Sequence, residues 1–325
     1  MYSKLSLIAL YCFSLILFSS CSSSKKIQSE SISIDKDLLT DAVIIPDSFS
    51  LPDMPEDLSD TDARAEYLVM HYWDKFDFTD EKLIELPEIT EQAFVDYINI
   101  LYYVPFAKAI ESLNFTLARA EQNPKMYAHF ASLFDKYYYE PNSPFRNEEF
   151  YIPILEEVTK SKSLGEADIS RYAFQLEMTK KNRVGQSATD FSFTLSDGST
   201  KKMSSIKSEY IILMFSNPDC STCAEVTKQM INSDILNKVY SMNSSTRTMI
   251  TTLTVYPFDD VEEWTDHLPQ MPEKWINGYD KDMVITNQKL YDIKATPTIY
   301  LLDSNKKVIL KDTSLDTIES FFELS

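Results

Sequence analysis

The stretch that decides the fold is Tyr210-Ile211-Ile212-Leu213-Met214-Phe215-Ser216-Asn217-Pro218-Asp219-Cys220-Ser221-Thr222-Cys223. Its first six residues form a continuous apolar run, which is typical of a strand buried on both faces. Residues 224–230, which follow it, have the composition of a helix. Two thiols separated by two residues therefore stand where a buried strand passes into a helix.

This position suits the chemistry of a dithiol. Cys220 would lie among the unpaired N–H groups at the positive end of the helix dipole, which favour a thiolate. Cys223 would lie one turn later, more buried and with a higher pKa, and could close a disulfide. The sequence therefore predicts Cys220 as the attacking sulfur and Cys223 as the resolving sulfur.

The alternative for a C-x-x-C pair is half of a zinc site. The chain has four cysteines, namely Cys12, Cys21, Cys220 and Cys223, and three histidines, namely His71, His129 and His267. There is no second C-x-x-C pair, so a tetrahedral zinc site would need ligands recruited from distant single positions. We therefore expect a redox dithiol, with no metal and no organic cofactor.

Composition limits the classes of function. Fifty acidic side chains against 31 basic ones give a net charge of −19, which argues against a nucleic-acid partner and provides no basic face for a membrane. A solubilising surface explains this acidity. Four glycines are too few for a glycine-rich phosphate loop, and a length of 325 residues suggests two domains.

The N-terminal residues have the pattern of an export signal. Lys4 precedes an apolar stretch, residues 5–18, that is too short for a comfortable membrane span. The small residues before Cys21 resemble a bacterial lipobox, although Phe18 stands where that pattern usually has Leu. An uncleaved anchor and an ordinary secretory signal are the alternatives, but the polar residues 22–33 favour a lipid-anchored tether. We expect lipid on Cys21 and a protein that faces the bacterial periplasm, where disulfides persist.

The hydrophobic pattern divides the rest of the chain near Arg183. We expect a signal peptide over residues 1–20, a polar tether over 21–56, a helical domain over 57–182 and an α/β domain over 183–325. In the helical part, residues such as Phe94, Tyr97, Ile98 and Leu101 have helical spacing. Aromatic residues at this spacing indicate a core rather than a ligand groove.

After Arg183 the period changes to that of strands. Phe191, Phe193 and Leu195 alternate before the hairpin turn Asp197-Gly198. Further strands are predicted over residues 210–215, 249–256, 298–302 and 308–310, and further helices over 259–268 and 315–323. The predicted order is strand, strand, strand, helix, strand, helix, strand, strand, helix, which is an α/β layer fold.

The C-terminal half resembles the TlpA/ResA-like thiol–disulfide oxidoreductases of the thioredoxin superfamily. Residues 184–191 are similar to the family entry G-x-x-A-P-D-F, with Thr189 in place of proline. Ala295-Thr296-Pro297-Thr298 stands where the family has a cis-proline that faces the disulfide. The resemblance implies that Pro297 and the Thr296 backbone position a substrate peptide, whereas a strand-initiating proline is the alternative. It predicts a thioredoxin-like α/β domain after an all-α domain.

The N-terminal half is similar to an uncharacterised helical domain that is fused to thioredoxin-like domains in Bacteroidota lipoproteins. The similarity lies in residues 65–78, and it continues in the C-terminal half at residues 255–264 and 275–280. It implies nothing about the role of the helical domain.

Three further positions depart from the family pattern. Asp219 precedes Cys220, where its carboxylate disfavours a thiolate. Met214 replaces a buried Asp of thioredoxin, and Val226 replaces the Glu of ResA-like proteins. Glu225 is therefore the candidate base for Cys223, and its alternative is a solvated first-turn glutamate.

We interpret the chain as an extracytoplasmic thiol–disulfide oxidoreductase. Its expected partners are protein substrates with cysteines or disulfides, an upstream redox partner, and a membrane reached through the lipid anchor only. The resemblance favours reduction or isomerisation over oxidation. The alternative is a redox-independent binding module on a thioredoxin scaffold. A peroxidase is excluded because Asn217 replaces a required Thr, and copper delivery would want wider cysteine spacing and a nearby His.

Overall fold

The computed structural model describes residues 48–324. The predicted signal peptide, the lipidation site Cys21 and most of the predicted tether lie outside the described residues. No helix in the described part is both long and apolar enough to cross a bilayer.

Six α-helices occupy the first part of the described chain, and they are α1 (Thr61–His71), α2 (Thr90–Ile100), α3 (Phe106–Ala120), α4 (Pro124–Tyr138), α5 (Glu148–Val158) and α6 (Glu166–Thr179). Short 3₁₀ helices lie at Glu81–Glu85 and Leu101–Tyr103. The start of α4 shows how the sequence sets these bounds. The Asn123 side chain accepts hydrogen bonds from the N–H groups of Lys125 and Met126, and Pro124 fills the first helical position.

The helical part has an aromatic core. The predicted face of α2 is fully buried, including Phe94 and Tyr97. The Tyr97 hydroxyl pairs with Ser112 on α3 at 2.7 Å, so this buried polar group is satisfied. The aromatic residues at helical spacing thus pack in a core, as their spacing indicates.

The C-terminal part is built on a seven-stranded sheet with the order β2-β1-β5-β4-β3-β6-β7. Its strands are β1 (Ser192–Thr194), β2 (Thr200–Lys202), β3 (Tyr210–Phe215), β4 (Ile250–Tyr256), β5 (Ile276–Tyr279), β6 (Thr298–Asp303) and β7 (Val308–Leu310). Its helices are α7 (Ser221–Asn232), α8 (Asp234–Ser241), α9 (Val261–His267), α10 (Val284–Asn287) and α11 (Leu315–Leu324).

The register of the central strands creates the edge that carries the cysteines. Strand β3 runs parallel to β4 and antiparallel to β6, with Phe215 opposite both Val255 and Thr298. The carboxyl ends of β3 and β4 therefore meet the amino end of β6. Residues that follow Phe215 and residues that precede Thr298 come together at this edge.

The fold class predicted from the sequence, an all-α part followed by a thioredoxin-like α/β part, is confirmed. The prediction missed β5, α8 and α10. Strand β5 is short and contains Gly278, where an added Cβ would lie 2.5 Å from the Phe193 ring, so packing rather than propensity selects this residue. Helix α8 follows α7 after Ser233 alone, with no glycine or proline to mark the break.

The boundary at residue 183 stays a prediction, because the described residues form one compact unit. Helix α6 ends at Thr179 and β1 begins at Ser192. Buried ion pairs join the two parts. Lys294 and Lys311, both 7% exposed, bind opposite oxygens of Glu148 on α5 at 2.9 and 2.6 Å.

Candidate active site

Cys220 is the N-cap residue of α7. Its backbone is extended, and its Sγ accepts a hydrogen bond from the Cys223 N–H at 3.1 Å. This interaction occupies one of the N–H groups that have no partner within the helix. Both cysteines are free thiols, with Cys220 half-buried and Cys223 only 2% exposed. The reachable sulfur is thus the one at the helix terminus.

The cis-proline segment lies against this sulfur. The peptide bond between Thr296 and Pro297 is cis. Cys220 Sγ lies 3.1 Å from the Thr296 carbonyl oxygen, to which the thiol donates. The structure therefore brings together four of the predicted site residues, Cys220, Cys223, Thr296 and Pro297, from segments separated by 76 positions in sequence.

Hydrogen bonds lower the pKa of Cys220. Partial burial of this thiol opposes its ionisation and is the largest single influence. It is outweighed by the donors around the sulfur, which are the Cys223 thiol, the Thr296 side chain and the N–H groups of Cys223 and Thr222. The Thr296 carbonyl works against these donors because it binds the thiol form. The net effect still favours the thiolate, so the pKa of Cys220 lies below that of an ordinary cysteine.

Burial raises the pKa of Cys223 above its usual value. The Asn217 N–H and the Ser216 hydroxyl favour its thiolate, but they do not overcome the apolar surroundings, which include Met214. These opposite directions are those that an attacking and a resolving sulfur need. The assignment of the two roles stays a prediction.

Glu225 lies away from the sulfurs. Its side chain is exposed and accepts a hydrogen bond from Gln229 one turn later. Since successive helical residues are about 100° apart, a residue two positions after Cys223 points to the opposite side of the helix. The geometry is that of the solvated first-turn glutamate, and the base role of Glu225 remains an untested prediction.

Glu263 on α9 belongs to the site although the sequence analysis did not identify it. Its Oε1 accepts from the Asp219 N–H at 3.1 Å, and its Oε2 accepts from the Tyr256 hydroxyl at 2.9 Å. It thereby connects the loop before Cys220 to the end of β4. Asp260 caps α9 by accepting from the Glu263 N–H, so the D-x-x-E pattern marks the start of this helix but not the contact of Glu263 with Asp219.

The Asp219 side chain itself is exposed, so solvent screens its charge. Its backbone also donates to Asn217 Oδ1 at 3.0 Å, and Cys220 N donates to the Asn217 carbonyl at 3.1 Å. The loop before the dithiol is therefore held mainly through Asn217. Within residues 48–324, no three histidine, cysteine, aspartate or glutamate side chains come together as metal ligands would.

Residues 20–182 match a family described as domain of unknown function DUF5106. The crystal structure of a thioredoxin-like protein from Bacteroides caccae is 39% identical, with a TM-score of 0.81 over 86% of this chain and 99% of that one. The chain belongs to this thioredoxin-like family. In this chain the DUF5106 part precedes the sheet that carries the dithiol.

Two further solved structures each match less than half of the chain. The C-terminal domain of an uncharacterised protein from Bacteroides fragilis is 37% identical over 44% of this chain and 98% of that one, with a TM-score of 0.42. The thioredoxin domain of a thiol-disulfide oxidoreductase from Bacteroides vulgatus is 21% identical over 44% and 96%, with a TM-score of 0.37. No curated protein matches the chain.

Proposed function

We propose that this protein is a thiol–disulfide oxidoreductase that acts on cysteines of protein substrates. One observation carries the proposal. The half-buried sulfur of Cys220 caps α7, has a lowered pKa and lies 3.1 Å from the backbone of Thr296, next to a second thiol. This arrangement offers a nucleophile, a resolving group and a backbone edge for a peptide.

The proposed reaction is an exchange of disulfides. The Cys220 thiolate attacks one sulfur of a substrate disulfide, a Cys220–substrate bond forms, and the other substrate sulfur leaves as a thiolate that takes up a proton. Cys223 then loses its proton and attacks the Cys220 sulfur. The substrate leaves as a dithiol, and its two electrons have come from the Cys220–Cys223 pair. An upstream dithiol partner restores the reduced pair.

We propose reduction or isomerisation as the direction. The similarity to TlpA/ResA-like motifs supports this direction, and so does the contact between Cys220 Sγ and the Thr296 carbonyl. A strongly oxidising dithiol needs a strongly stabilised reduced thiolate. A carbonyl that binds the thiol form limits that stabilisation.

We also propose that the protein works in the cell envelope, facing the periplasm and held by lipid on Cys21. The apolar leader and the polar residues 22–33 support this location. The protein would then encounter its substrates and its upstream redox partner in the cell envelope.

Reduction of insulin disulfides by dithiothreitol tests the activity. The wild-type protein should accelerate precipitation of the insulin B chain, whereas Cys220→Ser should give the uncatalysed rate. Equal rates for the wild-type and Cys220→Ser proteins would contradict the proposal and favour a binding module.

A further inference from the structure

A cavity of about 310 Å³ lies between the helical part and the sheet. Its apolar wall is formed by Tyr139, Phe174 and Met178 from the helical part and by Pro257, Phe258 and Ile293 from the sheet part. This volume is at the lower end of the range for ligand sites, which is about 300–1,000 Å³.

Most polar side chains of the wall already have hydrogen-bond partners. The Tyr139 hydroxyl donates to Asp292 at 3.2 Å, and Lys294 binds Glu148 at 2.9 Å. The Thr286 hydroxyl donates to the Pro257 carbonyl at 2.8 Å. Lys289 Nζ lies 4.5 Å from the centre of the Phe174 ring, and Phe174 is 41% exposed. An occupant therefore meets mainly apolar and aromatic surface, with one lysine beside it.

The cavity lies at the same edge of the sheet as the dithiol. Pro257 and Phe258 directly follow β4, the parallel neighbour of the strand that leads to Cys220. On the other side, Ile293 lies three residues before Thr296. Because an extended chain advances about 3.3–3.6 Å per residue, these three residues span at most about 10 Å. A polypeptide whose cysteine meets Cys220 reaches the cavity within a few residues.

We propose that this cavity is a specificity pocket for one apolar, preferentially aromatic, side chain of the polypeptide whose cysteine reacts with Cys220. The proposal rests on the proposed function as an oxidoreductase of protein thiols. It gives the helical domain a role in substrate choice, because Phe174 and Met178 complete a pocket that the sheet part alone would leave open.

The test uses reduced full-length protein and a series of disulfide-containing peptides. One Phe is moved through the four positions on either side of the reacting cysteine, and an all-Ala peptide is the reference. Second-order rate constants for mixed-disulfide formation are measured by rapid mixing. We expect Phe at one position to raise the rate constant about tenfold over the all-Ala peptide, as apolar pockets discriminate.

Substitutions in the protein then show which residues cause the increase in the rate constant. Phe174→Ala and Phe258→Ala should each bring the ratio of the two rate constants, Phe peptide over all-Ala peptide, close to one. Because Phe174 is exposed, its substitution should have little effect on folding. Phe115→Ala, on α3 and outside the cavity wall, is the matched control, since Phe115 is 47% exposed, and it should keep the full ratio.

Two results would overturn the pocket. One is a ratio near one at every position in the wild-type protein, and the other is an undiminished ratio in Phe174→Ala. Failure to react with the all-Ala peptide and with cystine would instead overturn the proposed function and the pocket together.

Discussion

Lys294 Nζ lies 2.9 Å from Glu148 Oε1, so a buried ion pair ties the segment that leads to Thr296 and Pro297 to the helical half. The second oxygen of the same carboxylate binds Lys311 at 2.6 Å. One glutamate of α5 thus binds two lysines that are each 7% exposed, and Asp292 adds a second carboxylate 3.4 Å from Lys294. The helical half is in this way attached next to the site rather than remote from it.

Glu148→Gln should therefore destabilise the protein strongly. Removing one partner of a buried ion pair leaves uncompensated charge, which costs about 3–5 kcal/mol. Asp292 stays 3.4 Å from Lys294, and Lys311 still donates to the Thr179 and Lys181 carbonyls, so we expect a loss near the lower end of this range. Urea unfolding measures the change in the free energy of unfolding. Glu149→Gln is the matched control, because its pair with Arg183 is more exposed and should contribute at most about 1 kcal/mol. Equal effects of the two substitutions would contradict this account.

Residues 183–325 expressed alone should fold cooperatively and keep a reactive Cys220. The sheet of this part is complete, and in the fragment water can solvate Lys294 and Lys311 after Glu148 is lost. The fragment should have a lower melting temperature than the full chain, and calorimetry measures both. A fragment without a cooperative transition would mean that the helical half completes the core.

The dithiol was predictable from local sequence, and much of what surrounds it was not. A buried strand before Cys220 and a helix after it define both sulfur positions through residues that are neighbours in the chain. Thr296 and Pro297 came from family resemblance, because only the pairing of β3 with β6 brings them to the sulfur. The side-chain contact of Glu263 with Asp219 depends on how α9 packs, which no local pattern encodes.

The exposed position of Glu225, in contrast, could have been deduced from the sequence. Its separation of two residues from Cys223 places it on the other side of α7 by helix geometry alone. Lys294 and Glu148 illustrate the remaining limit. From the sequence alone, each of these two residues is expected to be an ordinary surface charge. Only the tertiary structure shows that they are buried together.

The lowered pKa of Cys220 predicts how its alkylation depends on pH. Iodoacetamide reacts with the thiolate, so the rate should rise with pH and reach half of its plateau below the midpoint of a free cysteine, about 8.5. Cys223→Ala removes a thiol donor and should move this midpoint upward. A midpoint at or above that of a free cysteine in the wild-type protein would contradict the hydrogen-bonding account.

The mature N-terminus should be a lipid-modified Cys21. Mass spectrometry of the protein purified from its native membrane should show an N-terminal peptide that begins at this residue and carries acyl chains. Cys21→Ser should release the protein from the membrane fraction without changing its dithiol. An unmodified N-terminus at Ser22, or an intact Met1, would refute the lipid anchor.

The most direct test of the oxidoreductase is to trap its mixed disulfides. Cys223→Ser leaves the attacking sulfur and removes the resolving one, so disulfide-linked partners should accumulate on a non-reducing gel and vanish on reduction. Cys220→Ser should trap none, because Cys223 is buried and its pKa is raised. Trapping by Cys220→Ser alone would reverse the roles of the sulfurs. If neither variant traps a partner while the double variant keeps full function in the cell, the central claim is wrong.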